Sequence, residues 1–149
     1  TSSVTGSSNQ TKLNIGDTNT NGLRNTVTET VTGNSNMEIT NVVGNDNNVS
    51  TTVTGSTNQI TNTVTTSGAD ITHTITGSNN IVNAQQVDAA GSNGHSLINT
   101  ISGNYNSITT QQQGTNDTTI NIATTGDNNT VTVRTSSAAI VNPVSAIAR

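Results

Sequence analysis

The chain has 149 residues, with eight acidic and four basic side chains, one tyrosine and no phenylalanine, tryptophan or cysteine. A core built on large aromatic side chains and a fold held by disulfides are therefore excluded. The net charge of -4 comes without a cluster of Lys and Arg, so nucleic acid is not expected as a partner. Because no apolar run approaches the roughly 20 residues of a membrane-spanning helix, membrane insertion is not expected either.

The first segment, residues 1–21, carries two Gly-x-x-Asn tetrads, starting at Gly6 and Gly16, before any regular spacing begins. It is predicted to form an irregular N-terminal arm or a partial first coil. The chain opens at Thr1 without a methionine or the charged and apolar regions of a signal peptide. We therefore expect a mature secreted product, located outside the cell or on its surface.

The same tetrad occurs nine times in the chain, several times more often than its composition would give by chance. From Gly22 onward it recurs every eleven residues through six units, with Thr66 as the one unit start that lacks glycine. The spacing then takes up an insertion at residues 88–91 and a twelve-residue unit at residues 114–125. A fixed short period of this kind predicts a stacked repeat domain over residues 22–136.

Each residue of the tetrad has a physical role in a stack of turns. Glycine supplies the positive φ or the close approach that a turn needs, and asparagine can bond both the turn and the equivalent asparagine of the next rung. The predicted turn and ladder residues are Gly22, Asn25, Gly33, Asn36, Gly44, Asn47, Gly55, Asn58, Gly77, Asn80, Gly103, Asn106, Gly126 and Asn129.

The full unit is Gly-x-x-Asn-x-(Val/Ile)-x-x-x-(Val/Ile)-x, and its Thr, Asn, Ser, Val and Ile residues favour strands and turns over helices. Positions 4, 6, 8 and 10 share one parity, so in a strand they face one side. The Val and Ile residues at positions 6 and 10 predict an apolar core row from which water is excluded, which we call the seam. Its members are Val27, Val31, Val42, Val49, Val53, Ile60, Val64, Ile71, Ile75, Val82, Leu97, Ile101, Ile108, Ile120 and Val131.

Two features of the units do not fit a simple apolar seam. Position 8 also faces inward but is mostly polar, as at Glu29, Asn62 and His73, so either it bonds within the seam or the strand kinks there. Glu38 stands at position 6 with Ile39 beside it, which indicates a bulge or register shift in that unit.

The architecture follows from the width of the interior. One unit per coil would leave too little room for facing Val and Ile, so two units, about 22 residues, make one coil. The predicted fold is all-β: a flattened β-solenoid of about five coils, with two strands per coil and parallel, in-register stacking. At roughly 4.8 Å per rung the stack is about 24 Å tall. Residues 137–149 are apolar and off-pattern, and are predicted to be a C-terminal tail, a cap or an inter-subunit contact.

A Gly-x-x-Asn-x-apolar half-repeat, doubled to make one coil, resembles the curlin repeat of curli major subunits, over residues 22–136. Curlin repeats prefer glutamine at position 10, which this chain has at Gln86 and Gln112. The resemblance implies a secreted β-solenoid that polymerises end to end into an extracellular amyloid fibre of biofilm matrix. It also implies a partner that is another copy of the chain, and secretion and nucleation accessory proteins are candidate further partners.

We therefore expect a structural subunit of a homopolymeric filament rather than an enzyme. An uncapped solenoid exposes unpaired N–H and C=O groups at both ends, which is a template for another chain. Two histidines, His73 and His95, without carboxylates at ligand spacing predict no metal site, and no cofactor is expected.

Two alternative functions remain open at this stage. An ice-binding solenoid would use ranks of threonine, and Thr-x-Thr occurs at residues 26–28, 63–65, 72–74 and 130–132. Asparagine and serine interrupt the outward positions, which argues against it. The other alternative is a β-solenoid segment of an adhesin or phage fibre.

Overall fold

The computed structural model describes residues 1–16, 24–88, 94–136 and 141–147 of the chain. In those residues the protein is all-β, without a helix. The strands there are β1 (Ser2–Thr5), β2 (Gln10–Gly16), β3 (Thr26–Thr32), β4 (Met37–Val43), β5 (Asn48–Thr54), β6 (Gln59–Thr65), β7 (Asp70–Thr76), β8 (Ile81–Asp88), β9 (Ser96–Ser102), β10 (Ser107–Gly114), β11 (Thr119–Thr125), β12 (Thr130–Ser136) and β13 (Val141–Ile147).

The strands alternate between two parallel sheets. The seven-stranded sheet has the order β1-β3-β5-β7-β9-β11-β13, and the six-stranded sheet has the order β12-β10-β8-β6-β4-β2. Each strand therefore pairs with the strand two places away along the chain, and two consecutive strands make one coil. This confirms the predicted β-solenoid with two strand units per coil and in-register parallel stacking.

The step from one coil to the next equals two sequence units wherever the repeat is regular. Thr26 of β3 lies beside Asn48 of β5, and Met37 of β4 lies beside Gln59 of β6. The insertion after β8 lengthens the next step, so that Asp70 pairs with Ser96, without shifting the alignment of the strands. Insertions are thus absorbed between strands, as expected of a solenoid.

The sheets extend on both sides of the predicted repeat domain. Within residues 1–21, β1 pairs with β3 and β2 pairs with β4, so these strands add one coil below the first predicted unit. Within residues 137–149, β13 pairs with β11 along its whole length. All these strand pairings are parallel and follow the same two sheets.

The inner faces of the two sheets meet in one core. From β3 to β11 every second residue of a strand is buried, as in β5, where Val49, Thr51 and Val53 are inside and their neighbours are outside. This alternation is the one expected of a sheet with one packed face and one solvated face. The one tyrosine, Tyr105, is exposed, and the core is filled by aliphatic side chains, mainly Val and Ile, together with buried polar side chains.

Candidate functional site

Six turns lead from the seven-stranded sheet to the six-stranded sheet, and we call their stack the regular arc. It consists of residues 6–9, 33–36, 55–58, 77–80, 103–106 and 126–129. Glycine is required there by close approach: Gly55 has a φ of 138°, and a β-carbon on it would lie 1.8 Å from the carbonyl oxygen of Gly77. Neighbouring turns therefore stack backbone on backbone, closer than any side chain would allow.

The asparagines of the regular arc form a continuous ladder through all six turns. In a representative rung, Asn58 donates from its backbone N and its Nδ2 to Oδ1 of Asn36, at 3.0 and 3.1 Å. The same Nδ2 donates to the carbonyl of Gly77 at 2.8 Å. Each inner amide thus bonds both neighbouring rungs. The pattern runs through Asn9, Asn36, Asn58, Asn80, Asn106 and Asn129.

The opposite turns, which return to the seven-stranded sheet, form what we call the variable arc. Its fourth position carries Asn25, Asn47, Ala69, His95 and Thr118 in successive coils. The ladder begins as in the regular arc, since Asn47 N donates to Asn25 Oδ1 at 3.0 Å, and Ala69 N donates to Asn47 Oδ1 at 2.8 Å. From Ala69 upward the fourth position of the described turns no longer carries asparagine. Gly22, predicted to start this arc, lies outside the described residues.

Other groups replace the ladder in the upper part of the variable arc. His95 Nδ1 accepts a hydrogen bond from Thr118 N at 3.2 Å, which is the role that an asparagine Oδ1 has elsewhere. Gln112 reaches from the seam and donates to the carbonyl of Thr118 at 2.9 Å. Gln86 in turn donates to Gln112 Oε1 at 2.8 Å. The two glutamines that match the curlin pattern are therefore buried and support this arc.

All fifteen predicted seam residues lie buried in the core. Ile122 is a further fully buried residue that the position-6 and position-10 rule missed, because the twelve-residue unit places it at the equivalent of position 8. Ile122 pairs with Asn99 of the adjacent strand, which is a position-8 residue. The sequence shows that Ile122 faces inward only when the number of residues between these two coils is known.

Position 8 faces inward without a kink, and Thr51, Asn62 and His73 at this position bond one another within the seam. Asn62 donates to Thr51 Oγ1 at 3.3 Å, and its Oδ1 lies 2.8 Å from His73 Nε2. An amide oxygen only accepts, so Nε2 carries the proton of this imidazole. Burial lowers the pKa of His73 to about 4, and the ring is neutral near pH 7.

The predicted bulge at Glu38 is wrong. The strand β4 keeps its register, with Glu38 beside Ile60 and Ile39 beside Thr61, so Glu38 points into the core and Ile39 outward. Ladder register thus outweighs the cost of a buried acid here.

The two inward acids, Glu38 and Glu29, are each 1% exposed. Among the described residues, none of their carboxylate oxygens makes a hydrogen bond of ordinary geometry. Desolvation, and then the charge of Glu29, raises the pKa of Glu38 to about 7, and the nearby hydroxyl of Thr51 offsets only part of this rise. The core therefore holds an acid that titrates close to neutral pH.

The first coil differs from all inner coils because the side chains that occupy inward-facing positions are exposed there; we call them the exposed inner row. Val4, Leu13 and Ile15 are 43%, 36% and 46% exposed. They stand in register with Val31, Thr40 and Val42 of the next coil, which are at most 1% exposed. Among the described strands, β1 and β2 each have one paired and one unpaired edge. This end therefore presents core residues and free backbone groups together.

Among the described residues, no group of three or more His, Asp or Glu side chains is placed to hold a metal ion. His73 and His95 do not form one site, since His73 bonds Asn62 in the seam and His95 bonds Thr118 at the variable arc. No helix long and apolar enough to cross a bilayer occurs in the part of the chain that the structure describes.

Comparison with protein-family models, curated proteins and solved structures finds no match to this chain.

Proposed function

We propose that this chain is a structural subunit that polymerises end to end into an extracellular fibre of a cell surface or biofilm matrix. The first coil of one copy would stack on the last coil of another. The exposed inner row of the first coil carries this proposal. The proposed extracellular location rests on the resemblance of the repeat to curlin.

The apolar side chains of the first coil have the rows and spacing of a coil interior. Ile15 stands directly below Val42, and Val4 directly below Val31, both of which are buried within the stack. A further coil laid on β1 and β2 would bury Val4, Leu13 and Ile15 in the same way. Removing such surface from water is the main favourable term in protein association.

The backbone at both ends supports the same contact. Among the described strands, β1 and β2 leave one edge unpaired at one end, and β12 and β13 do so at the other. Strand edges are templates for strand addition, and every inner rung of this stack already makes that contact. In a filament built in this way all strands would lie across the fibre axis, about 4.8 Å apart.

Electron microscopy and fibre diffraction of the purified chain test the proposal directly. We expect unbranched filaments with a meridional spacing of about 4.8 Å. A chain that stays monomeric across concentrations, seeds and pH values would refute it.

A matched pair of variants tests which surface makes the contact. Ile15→Lys places a charge in the exposed inner row, whereas Ile81→Lys places one on the outer face of β8; the two isoleucines are 46% and 42% exposed. We expect Ile15→Lys to suppress filament growth and Ile81→Lys to leave it nearly unchanged, because only the first would bury a lysine between subunits. Equal growth of both variants would exclude the first coil as the contact.

A further inference from the structure

Two rows on the outer face of the seven-stranded sheet are built almost entirely of threonine. One row contains Thr30, Thr52, Thr74 and Thr100, and the other contains Thr32, Thr54, Thr76 and Ser102. We call them the threonine rows. Each strand of this sheet from β3 to β9 contributes one hydroxyl to each row, with one buried Val or Ile between the two.

The threonine rows form a regular two-dimensional array. Strand pairing sets about 4.8 Å between neighbours within a row, and two residues along a strand set about 6.6 Å between the rows. Thr52, Thr54, Thr74 and Thr76 are exposed, and no charged residue stands in either row from β3 to β9. The array is held in place by the buried seam directly beneath it.

The equivalent rows on the six-stranded sheet lack this regularity. They contain Asn41, Thr63, Gln85 and Gln111 in one row, and Val43, Thr65, Val87 and Gln113 in the other. Gln85 and Gln111 are long, flexible side chains, and with Arg134 they border a shallow depression of about 230 Å³. The rows on the two flanks of the stack therefore differ: one pair is uniform, and the other is uneven and mixed.

We propose that the threonine rows are an ice-binding surface. Each threonine offers a hydroxyl that can replace one water of a lattice and a methyl group that limits the freedom of the water around it. The hydroxyls recur at fixed steps in both directions, which is the kind of regularity that a crystalline ligand also has. Short β-branched side chains are restricted at χ1, so such an array loses little entropy on binding. Rows without charges or long side chains are suited to a rigid, uncharged crystalline ligand.

This surface is independent of filament formation, since it lies on the flank of the stack and not at its ends. The chain as isolated, monomeric or filamentous, is frozen slowly from dilute solution onto an ice surface, and the protein in the ice and in the liquid is measured. We expect the chain to be enriched in the ice and to cause thermal hysteresis, and expect an ordinary soluble protein to be excluded.

Two variants place the same bulk at equivalent positions of the two flanks. Thr52→Tyr interrupts the threonine rows, and Thr63→Tyr changes the corresponding row of the other sheet. We expect Thr52→Tyr to reduce ice enrichment at least tenfold and Thr63→Tyr to reduce it less than twofold, with circular dichroism verifying that both remain folded. Exclusion of the unmodified chain from ice, or equal losses in the two variants, would overturn the proposal. If Thr52→Tyr fails to fold, Thr52→Lys at the same exposed site replaces it under the same criterion.

Discussion

The regular arc and the variable arc join the same two sheets, yet only one of them keeps its length. Across the regular arc, each strand from β3 onward starts eleven residues before the next, as Thr26 and Met37 or Ser96 and Ser107 show. Every change in the coil step arises across the variable arc, where the described strands are separated by turns of unequal length. One arc fixes the coil and the other accommodates variation.

The hydrogen bonds of the two arcs explain this difference. In the regular arc each inner asparagine bonds the preceding turn and the following turn of the stack. A change in one turn would therefore leave polar groups unpaired in three turns. In the variable arc the amide ladder stops at Ala69, and different groups complete the turns above it. A continuous ladder therefore requires identical turns, and an interrupted one permits insertions.

The strongest test of the comparison is an insertion of Gly-Ser-Gly-Ser in each arc. Between Ser56 and Thr57 of the regular arc it should abolish cooperative folding, because Asn58 would lose its partners and the strands their register. Between Thr115 and Asn116 of the variable arc we expect a cost below about 1 kcal/mol, since a longer loop adds little closure entropy. Thermal unfolding followed by circular dichroism measures both. Equal costs would contradict the distinction between the arcs.

A second prediction concerns the buried acid in the coil that begins at β3. The folded state raises the pKa of Glu38 from 4.5 to about 7, so between these values the folded protein holds a proton that the unfolded chain has released. The contribution of Glu38 to stability therefore falls as the pH rises from about 4.5 to about 7 and stays low above that. Glu38→Gln should remove this loss, a gain of about 3 kcal/mol at pH 8 from the conversion of pKa shifts to free energy.

Unfolding by denaturant at a series of pH values measures the effect. His73 acts in the opposite direction over an overlapping pH range, because its lowered pKa makes the folded protein lose stability as the pH falls from 6.5 toward about 4. The two contributions partly offset each other in the unmodified chain, so the effect of Glu38 is the difference in stability between the variant and the unmodified chain. Glu38→Gln should keep this acid-side loss and abolish the alkaline-side one. If the difference in stability between Glu38→Gln and the unmodified chain stays the same from pH 5 to 8, Glu38 is not the titrating group.

The third prediction compares single amides of the two arcs. Asn58→Ala would leave donors of Asn80 and the carbonyl of Gly77 unpaired, and should cost about 3 kcal/mol. Asn47→Ala removes bonds to Ala69 and Thr66 and should cost about 1 to 2 kcal/mol, because the ladder ends there. The denaturant midpoints of the two variants measure these two losses of stability. A larger loss for Asn47→Ala would reverse the proposed ranking of the arcs.

The period of the sequence was enough to predict the fold, because glycine, asparagine and the inward Val and Ile recur at a spacing that only one coil size accommodates. It predicted the seam at residues such as Ile60 and Val64, which are fully buried. It did not distinguish the arcs, since an eleven-residue unit treats every turn alike. Aligning the chain in coils of two units separates the uninterrupted asparagines of one arc from Ala69 and His95 of the other.

The same limitation affected Glu38 and the threonines. Within one unit alone, an inward acid beside Ile39 predicts a bulge at Glu38, whereas pairing with β2 and β6 on both sides fixes its register. The Thr-x-Thr pairs that matter, such as residues 52–54 and 74–76, become evident only when alternate units are assigned to different sheets. In both cases the deciding information is contact between coils, which joins residues two units apart along the chain.

The smallest expected effect concerns the third residue of the regular turns. Thr57 has a φ of 59°, in the left-handed region that a β-branched residue adopts at a cost, while Asn79 has the same φ in the next turn. Thr57→Asn should therefore stabilise the protein by about 1 kcal/mol, and Asn79→Thr should destabilise it by a similar amount. Thermal unfolding of the two variants and of their combination measures both changes. If neither Thr57→Asn nor Asn79→Thr changes stability, threonine carries no strain at this position of the stack. The backbone of the regular arc would then be less constrained than its glycines and asparagines indicate.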